Sequence, residues 1–418
     1  MSKIAEVGQL NFGEWPPRGG SRTIDCFDKL EHIGEGTYGQ VYMAREIESG
    51  EIVALKRIRM ENELEGFPMT AIREIKILNK LNHENVIKLK EIVTSPGRGR
   101  DEQRGLDNKY KGGIYMVLEY MDHDLTGLSK RPGMRFTVSQ IKCYMKQLLT
   151  GLHYCHINQV LHRDIKGSNL LINNEGNLKL ADFGLARFLP SNNRESLTNC
   201  VITLWYRPPE LLLGSTKYGP AVDMWSVGCV FAELLNGKPI LPGENETEQL
   251  NKIFDLCGSP DENNWPGVSL IPWYDNLKPT RPMKRRVREV FQHFDSLALD
   301  LLERLLTLDP SQRICAIDAL DADYFWTDPL PCDPKSLPKY ESSHEFQTRK
   351  KRQQQHEEAA ARRQRLRQQH TRLTNHPYYY VEPRGPAGDQ TGYPPSGSSE
   401  VGPSDYSQSG SSGVGPSD

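Results

Sequence analysis

The sequence predicts an α+β chain in two lobes, a small, mainly β lobe with one helix and then a larger, mainly helical lobe. Three patterns carry this expectation. Short β-branched runs, EIVALKRI and IYMVLEY, mark residues 27 to 120 as strand-forming. Between them, AIREIKILNKL sets Ile72, Ile75, Leu78 and Leu81 at helical spacing. From about 125 to 327 the apolar period becomes helical, as in IKCYMKQLLTGLHYCH and MWSVGCVFAELL.

The elements follow in order. Residues 1–24 mix glycine, proline and charge without periodicity and read as a flexible leader. Folded structure is expected to open with a strand at Phe27. The polar, glycine-rich segment 95–113 reads as a long surface loop between two strands. After an extension over 326–348, residues 349–373 hold nine Lys or Arg against two Glu in a helix-forming context. The Gly, Ser, Pro and Tyr-rich tail, 374–418, repeats GPSD and is expected to be disordered.

Bulk properties narrow the function. With 418 residues and 37% hydrophobic content the chain buries at least one large core. A net charge of -2 argues against nucleic-acid binding through overall charge and leaves that role only to the basic segment. The eight cysteines never form a C-x-x-C pair, so neither a zinc site nor a disulfide framework is expected. The first twenty residues lack the apolar stretch of a signal peptide, and no window approaches the roughly 18 apolar residues of a membrane span. The expected compartment is cytoplasmic or nuclear.

Chemistry concentrates in four places. Gly34-Glu35-Gly36-Thr37-Tyr38-Gly39-Gln40-Val41 offers glycines that admit phosphate oxygens to the backbone. The strand, turn, strand pattern after it favours a hairpin over phosphates rather than a dinucleotide site, which needs a helix there. Taken alone it is equally a turn without a ligand. In Val53-Ala54-Leu55-Lys56 an ammonium follows Gly39 by 17 residues, and Glu74 lies 18 further on, on the amphipathic helix. A lysine gripping phosphates must be aimed, and Glu74 is the expected partner. Then come His162-Arg163-Asp164-Ile165-Lys166-Gly167-Ser168-Asn169 and Asp182-Phe183-Gly184, with 18 residues between the aspartates. Phosphoryl transfer needs a carboxylate to orient a hydroxyl and oxygen ligands for Mg²⁺. Asp164 is expected to be the base, Asn169 and Asp182 the metal ligands, and Lys166 to meet the migrating phosphate.

Together these motifs resemble the eukaryotic protein kinases, from Phe27 to Phe325, and that resemblance implies the two-lobed kinase fold. The kinase domain is set at 25–325, with an N-lobe over 25–118, a hinge over 119–124 and a C-lobe over 125–325. Pro208-Pro209-Glu210 resembles the family's A-P-E, with proline in place of its alanine. Arg313 resembles the ion-pair partner of that glutamate, and Asp223 to Gly228 the helix bracing the catalytic loop. The chain is thereby expected to be an ATP- and Mg²⁺-dependent serine/threonine kinase, with a pseudokinase scaffold as the rival. Besides residues 34–41, the resemblance assigns Ile33, Ala54, Lys56, Leu118, Glu119, Met121 and Asp124 to the ATP site, with Leu118 behind the adenine and Asp124 near the ribose.

Pro68-Met69-Thr70-Ala71-Ile72-Arg73-Glu74, GEGTYG, DFGLAR and TLWYRPPE are similar to cyclin-dependent kinases. The whole is most similar to the plant C-type subfamily, relatives of the kinase subunit of the positive transcription elongation factor; a cell-cycle type kinase is the alternative. The resemblance implies a cyclin, of the T type, docking on the helix from Pro68 to Glu74, which is swung away until it binds. It also implies an activating phosphate on Thr198, held by Arg73, Arg163 and Arg187. Thr37 and Tyr38 match inhibitory phosphorylation sites of cell-cycle relatives or are simple loop residues. Val201, Ile202 and Arg207 resemble the segment that selects proline after the target hydroxyl, which implies Ser-Pro and Thr-Pro sites such as the heptad repeats of RNA polymerase II, and a nuclear location.

Overall fold

A computed structural model describes residues 22–36, 39–59, 68–95, 113–189 and 196–374. Thr37, Tyr38, the loop interior at 96–112 and the tail from 375 lie outside these. The chain divides into two units, 1–358 and 359–418.

The first unit opens on an antiparallel sheet. Its strands are β1 (Phe27–Gly36), β2 (Gly39–Glu46), β3 (Ile52–Arg57), β4 (Leu89–Thr94) and β5 (Ile114–Glu119), in the order β1-β2-β3-β5-β4. Side-chain alternation along β3 divides its work: Val53 and Leu55 join Phe27, Val93 and Val117 in a small core, while Ala54 and Lys56 point to the other face. Helix α1 (Met69–Lys80) lies across that other face and buries Ala71, Glu74, Ile77 and Leu78. The buried stripe lies one position before Ile72 and Ile75, which stay half-buried, and so takes in the Glu74 carboxylate.

Folded structure begins earlier than Phe27. Arg22 bridges Glu46 and Glu91 at 2.6 and 2.9 Å, and its carbonyl accepts from the Thr94 N–H. An arginine fork meeting two strand carboxylates ties down the end of what composition alone marks as leader.

After a two-residue strand β6 (His123–Asp124) and a short helix α2 (Leu125–Ser129), the larger lobe is built on α3 (Val138–Ile157). A capping box of Thr137 and Gln140 starts α3. Strands β7 (Val160–Leu161), β8 (Leu170–Ile172), β9 (Leu178–Leu180) and β10 (Arg187–Phe188) follow, with β6-β8-β9 and β10-β7 forming small sheets. Short α4 (Pro209–Leu212) precedes α5 (Ala221–Asn236), which is buried from Val222 through Ala232 and ends at Gly237 in the left-handed conformation. Around it stand α6 (Glu246–Cys257), short α7 (Tyr274–Leu277) and α8 (Val287–Val290), α9 (Ser296–Leu305) and α10 (Ala316–Leu320). The basic segment lies within α11 (Glu345–Thr374), which begins in the first unit; residues 359–374 are the described part of the second. Among the described residues, no helix is long and apolar enough to cross a membrane.

Candidate active site

The sheet register assembles the nucleotide face. β2 sets Val41 opposite Lys56, and β5 sets Leu118 opposite Ala54 and Met116 opposite Lys56. Ile33 is buried in β1 and Gly34 pairs with Val41. Glu35 and Gln40 pair across the same hairpin, which Gly36 and Gly39 close. A Cβ at Gly39 would stand 1.6 Å from the Arg57 carbonyl oxygen, so only glycine fits there. Glu119 donates its N–H to the Lys88 carbonyl at 3.2 Å, and Met121 is buried two residues on.

Lys56 lies 2.8 and 3.0 Å from the two oxygens of Glu74 and 2.8 Å from Asp182 Oδ1. Burial works against the Lys56 charge, yet the carboxylates of Asp182 and Glu74 outweigh it and hold the ammonium above its usual range. Burial likewise disfavours the Asp182 carboxylate, and Lys56 overrides it and pulls the group below the ordinary range. The helix expected to be swung away is therefore engaged in the chain described, because the buried ammonium is compensated by two carboxylates, one of them brought by α1.

The catalytic loop is held from beneath. Asp223, fully buried on α5, accepts the backbone N–H of His162 at 3.0 Å and of Arg163 at 2.8 Å, and meets His156 Nε2 at 3.0 Å. Burial pushes Asp223 upward, and His156 with these donors brings it below the carboxylate range. Arg163 and Asp182 both adopt left-handed φ, 63° and 60°. Strain of that kind costs about 1–3 kcal/mol per residue and persists where surroundings over-determine the backbone. For Arg163 the surroundings are Asp223, the Leu185 carbonyl at 2.8 Å and the Tyr218 hydroxyl at 2.9 Å.

The β8/β9 hairpin explains the 18-residue spacing. Leu170 pairs with Leu180, so the Ala181 N–H meets the Asn169 carbonyl at 2.9 Å and Asp182 arrives beside Asn169. Asn169 Nδ2 donates to Asp164 Oδ2 at 3.0 Å and to its carbonyl at 2.8 Å, which leaves the amide oxygen as a ligand. With the Asp182 carboxylate, one third exposed, these are hard oxygen donors that suit Mg²⁺ completed by phosphates and water. Lys166 stands 2.9 Å from Asp164 Oδ2.

Sequence reading gave no role to Thr203, whose N–H and Oγ1 reach Asp164 Oδ1 at 3.1 and 2.8 Å. No local signal marks it, since the two are 39 positions apart. Thr198 is exposed; its carbonyl accepts from the Tyr218 hydroxyl, which in turn accepts from Arg163. Arg73 and Arg187 are half-buried on α1 and β10. Glu210 and Arg313 form a bidentate pair at 2.7 and 3.0 Å, with both side chains buried.

Asp124 is held by the chain at the end of the hinge. Its Oδ1 caps α2 through the Gly127 N–H at 2.7 Å, and its Oδ2 accepts from Glu345 N–H at 2.6 Å. Both oxygens accept from backbone donors, and each keeps a lone pair for a further one. The second donor belongs to the C-terminal extension, which crosses the hinge: Ser343 bonds His123, Lys130 pairs with Glu345 at 2.8 Å, and Phe346 and Gln347 meet His32 and Glu31 of β1.

Comparison with known proteins agrees with this geometry. Residues 27–325 match the family described as Protein kinase domain. The chain is 68% identical over 442 residues to Cyclin-dependent kinase C-2 of Arabidopsis thaliana, covering 96% of this chain and 86% of that one. It is 74% identical over 349 residues to Cyclin-dependent kinase C-1 of Oryza sativa subsp. japonica, covering 83% and 67%. Among solved structures, the yeast RNA Pol II CTD kinase CTDK-1 complex aligns with 41% identity and a TM-score of 0.66, covering 77% of this chain and 99% of that one. The CAK complex from Chaetomium thermophilum bound to ATP-gamma-S aligns with 38% identity and a TM-score of 0.66, covering 75% and 95%. The chain belongs to the protein kinase family, as a serine/threonine kinase of the cyclin-dependent C type.

Proposed function

We propose that this kinase, in the nucleus and with a T-type cyclin on the helix from Pro68 to Glu74, phosphorylates Ser-Pro and Thr-Pro sites, the heptad repeats of RNA polymerase II among them. The observation that carries the substrate reading is the backbone at Ile202. Its φ is 69°, in the left-handed region, and its carbonyl accepts from Arg207 Nε at 3.1 Å. A β-branched residue held there is strained. With that carbonyl already spent, an N–H on the residue after the target hydroxyl loses an acceptor, whereas proline has none to satisfy.

Asp164 orients the substrate hydroxyl and takes its proton, placed by Thr203, Lys166 and Asn169. Lys56, aimed by Glu74, holds the α and β phosphates, and Lys166 meets the moving phosphoryl group. Asn169 and Asp182 would hold Mg²⁺, which would supply neutralisation of phosphate charge. Phosphate on Thr198 draws Arg73, Arg163 and Arg187 together, coupling the activation segment to α1 and to the catalytic loop.

Transfer of labelled phosphate to a Ser-Pro heptad peptide, with and without a T-type cyclin, tests this reading against an Asp164→Asn control. Cyclin-dependent labelling lost in the control is expected. Equal labelling of Ser-Pro and Ser-Ala peptides defeats the substrate reading.

A further inference from the structure

The extension after α10 is rooted on α3 before it reaches the hinge. Lys142 Nζ donates to the Thr327 carbonyl at 2.8 Å, and Ser139 Oγ to that of Leu330. The Cys332 N–H then donates to the Ser139 carbonyl at 3.2 Å. In the helical i→i−4 ladder, that same carbonyl accepts from the N–H of Cys143. Two cysteine backbones thus converge on one acceptor, and the Cys143 thiol feels Cys332 as an electrostatic neighbour. Disulfides span Cα separations of roughly 4.4–6.8 Å, a distance compatible with this convergence.

We propose that Cys143 and Cys332 are a peroxide-oxidisable thiol pair whose disulfide fastens the C-terminal extension to α3. Their settings differ in the way such chemistry needs. Cys332 is partly exposed in a stretch without helix or strand and meets the oxidant; Cys143 is buried. Burial, with Cys332 beside it, pushes the Cys143 thiol up to about 12, so Cys143 resolves rather than initiates. Gln147 Nε2 donates to its sulfur at 3.5 Å, which favours the thiolate as it forms. Cys229 and Cys257 also influence one another, but both are buried, so peroxide has no entry there.

The step balances with hydrogen peroxide as oxidant. The Cys332 thiolate attacks the O–O bond; an S–O bond forms, and the departing hydroxide combines with the proton that Cys332 released, giving water. The Cys143 sulfur then attacks the sulfur of the sulfenic acid. An S–S bond forms, the S–O bond breaks, and hydroxide leaves with the Cys143 proton as a second water. Two thiols are oxidised and one peroxide is reduced; a small thiol reverses the link by exchange.

The consequence runs along the extension to the hinge. Beyond Cys332, the Pro334 carbonyl lies so close to Gly176 that a Cβ there would be 2.0 Å away, and Tyr340 exchanges two hydrogen bonds with Asn174. These contacts end at the bond from Glu345 to Asp124. A crosslink at the root reduces the conformations open to the detached extension.

The test treats the full chain with hydrogen peroxide, followed by peptide mapping without reductant and by amide hydrogen exchange. The expected result is a Cys143–Cys332 peptide lighter by two hydrogens, restored by dithiothreitol and absent in Cys332→Ser. Exchange over 333–345 is expected to slow at least roughly thirtyfold in the oxidised chain, the lower end of what such a link typically contributes, and to stay unchanged in the variant. Cys332→Ser alters a partly exposed loop residue and keeps the test valid if Cys143→Ala fails to fold. Recovery of Cys332 as sulfinic acid or a glutathione adduct, with Cys143 still reduced, overturns the pair. A crosslink that leaves exchange unchanged overturns the fastening.

Discussion

Glu345 and Asp124 stand 221 positions apart, and the N–H of the first donates to the carboxylate of the second at 2.6 Å. The hinge carboxylate is thereby shared between the cap of α2 and the extension. Burial raises it to about 7 against those two donors. A carboxyl raised in the folded state stabilises the fold below its unfolded value, near 3.8, and that contribution is lost as pH rises toward 7. Wild type is therefore expected to lose stability relative to Asp124→Asn between about pH 4 and 7. Thermal melts of both proteins across that range check the sign; parallel curves would contradict it.

Glu74→Gln leaves Lys56 with one carboxylate and weakens the reason for α1 to stay engaged. Phosphoryl transfer is expected to fall by about 10²-fold or more, the scale of losing one preorganised electrostatic contact. Single-turnover rates at saturating ATP measure it, and a loss confined to KM speaks against the aiming role.

Arg207→Ala releases the Ile202 carbonyl as an acceptor. The preference for Ser-Pro over Ser-Ala peptides is expected to drop by roughly tenfold, the worth of one hydrogen bond regained by the non-proline peptide. Ratios of kcat/KM for the two peptides read this directly, and an unchanged ratio places the selectivity elsewhere.

Thr198→Ala is expected to lower peptide phosphorylation at least about tenfold, the value of one or two charge-assisted bonds. ATP affinity by calorimetry should stay within error. Undiminished turnover removes Thr198 from the activation scheme.

Arg313→Leu strands Glu210 inside the larger lobe. Removing one partner of a buried pair costs about 3–5 kcal/mol. Urea unfolding monitored by tryptophan fluorescence checks this, with a shift under ~1 kcal/mol as the outcome against it.

The reacting groups were readable from local order. Lys56 and Ala54 share a face because a strand alternates. The helix carrying Glu74 has a period visible in Ile72 to Leu81, although its buried stripe lies one position earlier at Ala71, Glu74 and Ile77. Asn169 and Asp182 are spaced by one hairpin. Such relations need only the two backbone periods and a turn, so a single chain of letters carries them. Two features needed the packed molecule: the engaged α1 and the sharing of Asp124 with the extension. Each depends on partners far apart in the chain. Lys56 meets Asp182 across 126 positions, and Glu345 meets Asp124 across 221. Local propensity says nothing about which distant donor will satisfy a buried carboxylate. That choice falls to whichever group the completed core brings within hydrogen-bond reach.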